Sequence, residues 1–230
     1  AVMKKRNRIL SLLLAGAMAL GLTACGASNA GTAADETGSA AVSTESASTD
    51  TAASGEKIIN VGVTNTIGSL NPLLLNGGEI NKYATGLMFL PLMELDADLN
   101  FEGMLADSIT TEDNKNFIVH IDDAATWSDG TPVTADDVVY TALRLASPVI
   151  GNTAMMYYVF EGVGEDGFVE EGADHVEGIT RVDDKTVRFT TKAPMSLITF
   201  NSSYARYLMP LPKHVIGDID EKALTSDPWF

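Results

Sequence analysis

The side chains that could do chemistry in this 230-residue chain are one thiol, three imidazoles and 31 carboxylates. His120, His175 and His214 are far apart, and none falls in an H-E-x-x-H or other metal-ligand spacing that would set two imidazoles on one helix face. The chain has no G-x-S-x-G elbow to expose a nucleophilic serine, no P-loop, and no G-x-G-x-x-G turn to cradle a phosphate. The paired acids Asp122-Asp123 and Asp136-Asp137 read as turn and cap residues, and Glu165 to Glu171 as a solvated acidic loop. An enzyme is therefore not expected, and neither a cofactor nor a metal is implied. That leaves Cys25, the only cysteine, which can form no disulfide within the chain and whose chemistry must come from its position.

Cys25 stands directly behind an apolar stretch. Lys4, Lys5, Arg6 and Arg8 form a basic n-region, and Ile9 to Leu22 form an apolar h-region of about 14 residues, too short for a comfortable membrane span. Residues 1 to 24 read as an export signal. Leu22-Thr23-Ala24-Cys25 resembles the lipobox of bacterial lipoproteins, where small residues suit a signal peptidase and the cysteine is lipidated and becomes the new N-terminus. The resemblance implies lipid attachment at Cys25. An ordinary signal peptide cleaved near Ala24 and an uncleaved N-terminal span are the competing readings.

Without residues 1 to 24, 11 basic residues face 31 acidic ones, a formal charge of −20. Phosphate backbones need clustered Lys and Arg, and none follows the n-region, so nucleic acid is excluded as a partner. From Gly26 to Glu56 the sequence is Ala, Ser, Thr and Gly with scattered acids, and Val42 is its only large aliphatic. Such a segment cannot offset its ordering entropy by burial, and with Cys25 it reads as a tether over 25–56 with a reach of roughly 30 Å. The folded part is expected from Lys57.

Ile58 to Thr64 is rich in Ile and Val and predicts a strand, and Ile80 to Leu92 carries Tyr83, Leu87, Met88 and Leu90 at helical spacing, predicting an amphipathic helix ended by Pro91. Then the period changes to two. Phe117, Val119 and Ile121 alternate with Ile118 and His120 behind the turn Glu112-Asp113-Asn114-Lys115, which predicts a hairpin. A second hairpin is predicted over Val176 to Thr191, turning at Asp183-Asp184-Lys185, with Val187 and Phe189 on one face. Between them, Ser128 to Gly130 is a turn, Thr134 is an N-cap with Asp137 at N3, and a helix starts at Ala135 with Val138, Ala142 and Leu145 as its apolar stripe. Ser147-Pro148 stops that helix. A helix from Met195 and a strand-like Tyr207 to Leu211 complete the reading.

The segment from Trp127 to Tyr140, W-S-D-G-T-P-V-T-A-D-D-V-V-Y, is very similar to the signature of the extracellular solute-binding proteins of family 5, the oligopeptide- and dipeptide-binding lipoproteins of bacterial ABC importers. In order along the chain it is supported by Leu70-Asn71-Pro72, Gly103-Met104-Leu105-Ala106-Asp107, Val182-Asp183-Asp184-Lys185-Thr186-Val187 and Met209-Pro210-Leu211-Pro212-Lys213-His214. The turn at Glu112 to Lys115 lacks the glycine often seen there, and Asn71 stands where Asp is common. The resemblance implies an α/β fold of α+β lobes, the type II periplasmic-binding-protein architecture. Residues 57–75 would open domain I, 76–191 would form domain II and 192–230 would return to domain I. Family members are commonly more than twice the length matched, so the chain is expected to be truncated before domain III, and Ala1-Val2 ahead of Met3 suggests a start read slightly long.

The signature residues Trp127, Asp129, Gly130, Pro132, Thr134, Ala135 and Asp137 have the chemistry of a tight turn feeding a capped helix, and are read as structural. Ligand contacts implied by the resemblance are Asn76, Gly77, Gly78 and Glu79, where backbone groups would pair with an extended peptide. Tyr157 or Tyr158 would cap a side-chain pocket, against the alternative that Met155 to Tyr158 simply fill a core. Ser202, Ser203 and Tyr204 are further cleft candidates. The carboxylate that pairs with a peptide's α-amino group in many relatives would lie beyond Phe230, so a chain ending there is expected to bind little.

The resemblance thus implies a protein exported and lipid-anchored at the outer face of the bacterial cell membrane or in the periplasm, capturing peptides for an ABC permease and its ATPase. The same fold serving a nickel complex, haem, a sugar or an opine, or a surface peptide sensor, are the alternatives. The lipid-anchor reading makes a direct prediction: Cys25→Ser should move the protein from the membrane fraction to the soluble fraction on cell fractionation. Full membrane retention of that variant would overturn it.

Overall fold

The computed structural model describes residues 59–63, 65–75, 79–155 and 157–226. The readings of Cys25, of the export signal and of the tether fall outside these residues.

The period-two segments pair as their patterns require. Strand β3, Ala106–Thr110, turns into β4, Asn116–Ile121, and β4 pairs on its other side with β6, Thr186–Thr190, which in turn pairs with β5, Ile179–Arg181. (A shorter hairpin, β1 at Met93–Leu95 with β2 at Phe101–Gly103, lies earlier in the chain.) All pairings in the four-stranded sheet are antiparallel, with Val119 opposite both Ile109 and Val187, and Phe117 opposite Phe189. One face therefore collects Phe117, Val119, Ile121, Val187 and Phe189, all buried, while Ile118 and His120 turn to the other. At the first turn the missing glycine is replaced by Asn114 at φ 58, a residue that tolerates this region. The Asp113 carboxylate holds that turn by accepting the backbone N–H groups of Lys115 and Asn116 at 2.9 and 2.7 Å.

Gly178 is the stitch between the second hairpin and the preceding loop. Its N–H donates to Glu161 O at 2.8 Å, its carbonyl accepts from Thr190 at 2.6 Å, and Glu161 N–H donates to Thr190 O at 3.1 Å. A Cβ at this position would lie 2.6 Å from both the Glu161 nitrogen and the Thr190 oxygen, so only glycine fits.

Helices cover the apolar face. Helix α1 spans Glu79–Thr85, α2 spans Ala135–Leu145, α3 spans Leu197–Phe200, and α4 spans Lys213–Ile216. Helix α2 packs against β5 and β6 and buries Val138, Ala142 and Leu145, the stripe expected of it. Phe200 at the end of α3 stacks on Phe117 with centroids 4.3 Å apart and planes 5° from parallel. Phe160 fills the remaining space, 5.7 Å from Phe189 and 4.9 Å from Tyr204. This aromatic cluster is the centre of the core.

Four expectations need correction. Ile59 to Val63 forms no ladder, and Ile59, Val61 and Val63 are exposed, because no described strand runs beside them and a strand without a partner leaves its backbone unpaired. The helix predicted over Ile80 to Leu92 ends at Thr85, with Gly86 following, and its apolar stripe points the other way: Tyr83, Leu87, Met88 and Leu90 are exposed. The buried positions are polar but satisfied. Thr85 donates to Asn81 O at 2.6 Å, and Asn81 Oδ1 accepts Gly68 N–H at 2.8 Å. Tyr207 to Leu211 is irregular and not a strand, because its Leu211 N–H is taken by the Thr141 hydroxyl at 2.8 Å rather than by a neighbouring strand. The helix expected from Met195 starts two residues later, where Ser196 caps it by accepting the Thr199 N–H at 3.1 Å.

The alternation along β4 sets a test. Phe117→Ala should cost about 3–5 kcal/mol in chemical denaturation, whereas Ile118→Ala, on the half-exposed face, should cost under about 1.5 kcal/mol.

Candidate functional site

The signature segment builds one compact device. Trp127 N–H donates to Thr131 O at 2.8 Å and Gly130 N–H to Trp127 O at 2.9 Å, with Gly130 at φ 87 closing the turn. Thr126 and Pro132 bridge the two sides, and Ala135 N–H reaches Asp184 O at 2.8 Å, fixing the start of α2 to the second hairpin. Asp137, 4 % exposed, is the centre of the arrangement. Its Oδ2 accepts the Thr134 N–H at 2.8 Å and the Trp127 indole N–H at 3.4 Å, and its Oδ1 accepts the Lys213 N–H at 2.9 Å.

The rest of α2 continues the seam with the segment from Leu211 onward. Thr141 donates to Asp137 O at 2.7 Å while accepting Leu211 N–H at 2.8 Å, Tyr140 donates to Ile216 O at 3.2 Å, and Arg144 meets Glu221 at 3.0 Å. At the surface His214 Nε2 lies 2.8 Å from Asp129 Oδ2. The Asp129 carboxyl is lowered to about 2, first by the Thr131 N–H and then by His214. Thus the two most distinctive sequence motifs, around Trp127 and around Lys213, are two halves of one contact.

The ligand candidates are distributed unevenly. Asn76, Gly77 and Gly78 lie outside the described residues, and Glu79 opens α1. The chain leading to them is fixed. Asn152 Nδ2 donates to Leu73 O at 2.8 Å and Leu75 O at 3.4 Å, and Asn71 Nδ2 donates to Leu224 O at 2.7 Å. Tyr157 is 1 % exposed and its ring sits 5.4 Å from Phe160, so it fills the core instead of capping an open pocket. Burial pushes its hydroxyl far above the usual tyrosine range, and that hydroxyl has no partner among the described residues. Tyr158, 45 % exposed, is the one of the pair that presents its ring to solvent.

Ser202 and Ser203 are exposed, while Tyr204 is buried 6.1 Å from Tyr157, its hydroxyl pushed up to about 12 by burial and then by Tyr158. The structure therefore gathers Tyr157, Tyr158 and Tyr204 into one neighbourhood. What brings Tyr204 inward is a π-helical turn, Asn201–Ala205, which directly continues α3. Sequence reasoning missed that turn and also the buried Asn201 Oδ1, which has no partner among the described residues. A single extra residue in a helical turn carries no periodic signal.

The three histidines each meet one aspartate, His120 with Asp107 at 3.1 Å, His175 with Asp174 at 2.6 Å and His214 with Asp129. Among the described residues no three His, Cys, Asp or Glu side chains converge as a metal site, and no helix is long and apolar enough to cross a membrane. The groups these elements do assemble are aromatic rings and hydroxyls, suited to contact and hydrogen bonding.

Residues 100–230 match the family described as bacterial extracellular solute-binding proteins, family 5 Middle. The chain is 32% identical over 141 residues to the peptidoglycan-binding protein YepA of Agrobacterium fabrum, covering 57% of this chain and 20% of that protein. It is 30% identical over 163 residues to the periplasmic oligopeptide-binding protein OppA of Escherichia coli, covering 67% and 28%. Among solved structures, Listeria monocytogenes OppA bound to peptide superimposes with a TM-score of 0.59 at 27% identity, covering 74% of this chain and 34% of that one. The chain thus spans about a fifth to a third of the length of these proteins.

The seam yields two expected outcomes. Asp137→Ala should destabilise the protein by about 1–3 kcal/mol in urea denaturation, since it leaves the Lys213 and Thr134 N–H groups without their acceptor. Asp129 has its carboxyl lowered from 3.8, so its contribution is present above that value and disappears as pH falls toward about 2. Asp129→Asn should therefore flatten the fall in thermal midpoint between pH 4 and pH 2.

Proposed function

Because the chain belongs to the bacterial extracellular solute-binding proteins of family 5, we propose that it captures peptides outside the membrane and delivers them to an ABC permease driven by its ATPase. The family is one of binding proteins and not of enzymes, and the mixed helix-and-sheet architecture is part of the type II periplasmic-binding-protein fold. In this reading Cys25 carries a lipid that holds the protein at the outer face of the membrane, and residues 25–56 tether it within reach of the permease. Residues 57–75 and 192–230 belong to domain I and residues 76–191 to domain II.

The observation that carries the proposal is the family match over residues 100–230, together with the joining of the Trp127 and Lys213 motifs through Asp137. The peptide assignment is supported by the oligopeptide-binding relative and by the peptide-bound structure among the superimposable proteins. Asn76 to Glu79 supply backbone groups to an extended peptide, Tyr158 presents an aromatic face, and Ser203 and Tyr204 flank it. A second reading, the same fold serving another solute, is favoured by the relative named as peptidoglycan-binding.

Calorimetric titration of the complete gene product with a library of short peptides should give saturable binding. Tyr158→Ala should weaken it by about 0.5–1.5 kcal/mol, a few-fold to tenfold, without lowering stability. No binding across the library, with binding of muropeptides instead, would replace the first reading with the second.

A further inference from the structure

Beside the outward-turned face of α1 lies a cleft of ≈ 480 Å³, separate from the signature turn. Its walls are apolar: Tyr83 and Leu87 from α1 and its end, Leu90, Met104 and Met209. Against these walls stand three charged groups in contact. Glu94 Oε2 lies 3.1 Å from Lys82 Nζ, and Glu94 Oε1 accepts both the Leu95 N–H at 2.9 Å and the Arg206 guanidinium. Both cations also lie over the ring of Tyr207, Lys82 at 4.8 Å and Arg206 at 5.9 Å.

We propose that this cleft binds a small amphiphilic carboxylate, one carboxylate carried on an apolar body, with Lys82 as the group that meets the anion. Two cations meet one carboxylate in this triad, so it carries positive charge in a chain whose formal charge is −16. Both oxygens of Glu94 already meet cations, so an anion rather than a further cation complements the triad. Lys82 has three N–H donors, and Glu94 is its only oxygen partner among the described residues, so its ammonium, at the end of a side chain 12 % exposed and held over Tyr207, has donors to offer. Burial acts to raise Glu94, but the Leu95 N–H, Arg206 and Lys82 together hold its carboxyl below the ordinary range. The exposed Leu87, 88 % accessible, and Leu90 then supply the surface that an apolar body would cover. A phosphate or other fully polar anion would gain nothing from these walls.

The same chemistry is offered by a free medium-chain acid and by the C-terminus of a peptide ending in an apolar residue, so both are used as probes. Calorimetric titration of the purified chain with octanoate, with N-acetylleucine and with octanol should give saturable binding of one or both carboxylates and at least tenfold weaker binding of octanol. Lys82→Met and Leu87→Glu should each weaken carboxylate binding tenfold or more, and Lys82→Arg should keep it within about threefold. Leu87 is a surface residue, so the second variant remains informative if the first fails to fold. Tighter binding of octanoate identifies a free acid as the ligand, and tighter binding of N-acetylleucine identifies a peptide end. Equal binding of octanol, unchanged binding in Leu87→Glu, or no saturable carboxylate binding would overturn the proposal. Peptide capture at Tyr158 is read by a different variant, so either result can fail without the other.

Discussion

The Asp137 carboxylate is buried, and a buried carboxylate is tolerated only where its oxygens are hydrogen-bonded. Here they receive the N–H of the residue before α2, the indole of Trp127 and the N–H of Lys213, groups that come from three places in the sequence. The helix N-terminus adds a favourable dipole for the negative charge. One side chain therefore caps a helix, sets an indole and anchors a returning segment. The further ties from Tyr140, Thr141 and Arg144 to residues 211–221 align along the same helix, so they depend on where Asp137 places it. With α2 fixed, its buried stripe packs on β5 and β6, and the aromatic cluster around Phe160 closes beside it.

Much of this was legible in the sequence, and the reasons differ by element. The hairpins at 106–121 and 179–190 were readable because an antiparallel sheet with one buried face writes its period directly into the residues, as Phe117, Val119 and Ile121 show. Helix α2 was readable because its cap is local: Thr134 and Asp137 are three residues apart. The segment from Ile80 failed the same test. Its apolar residues have helical spacing, yet the buried positions are Asn81, whose side chain is held by Gly68 from the loop before the helix, and Thr85, whose hydroxyl folds back onto the Asn81 carbonyl. Ile59 to Val63 has strand propensity, but propensity forms a strand only against a partner.

The candidate site was less legible than the fold. Tyr157 and Tyr158 are neighbours of the same type, and only the short 3-10 turn over Tyr157–Val159 decides that one ring enters the core and the other leaves it. Tyr204 depends on a π-helical turn that shifts the register of a helix end. The functional expectations came from family motifs, and those motifs prove to be mostly about the seam. Around Trp127 and Lys213 the residues that identify the family hold α2 to the returning chain, while the rings and hydroxyls available for contact come from stretches with no distinctive pattern.

The sheet also orders events in time. Strand β4 lies between a neighbour reached by a short turn and another, β6, whose pairing residues Asn116 and Thr190 are 74 positions apart, and Asp137 waits a further stretch for Lys213, 76 positions on. Closing loops of that length is slow compared with forming a hairpin. For a chain made N-terminus first, the first hairpin can form early, but its apolar face lacks full cover until Phe160 and Phe200 arrive. The early chain would thus remain loosely organised, which leaves Phe117 and Val119 in need of protection until β6 and Phe200 are in place.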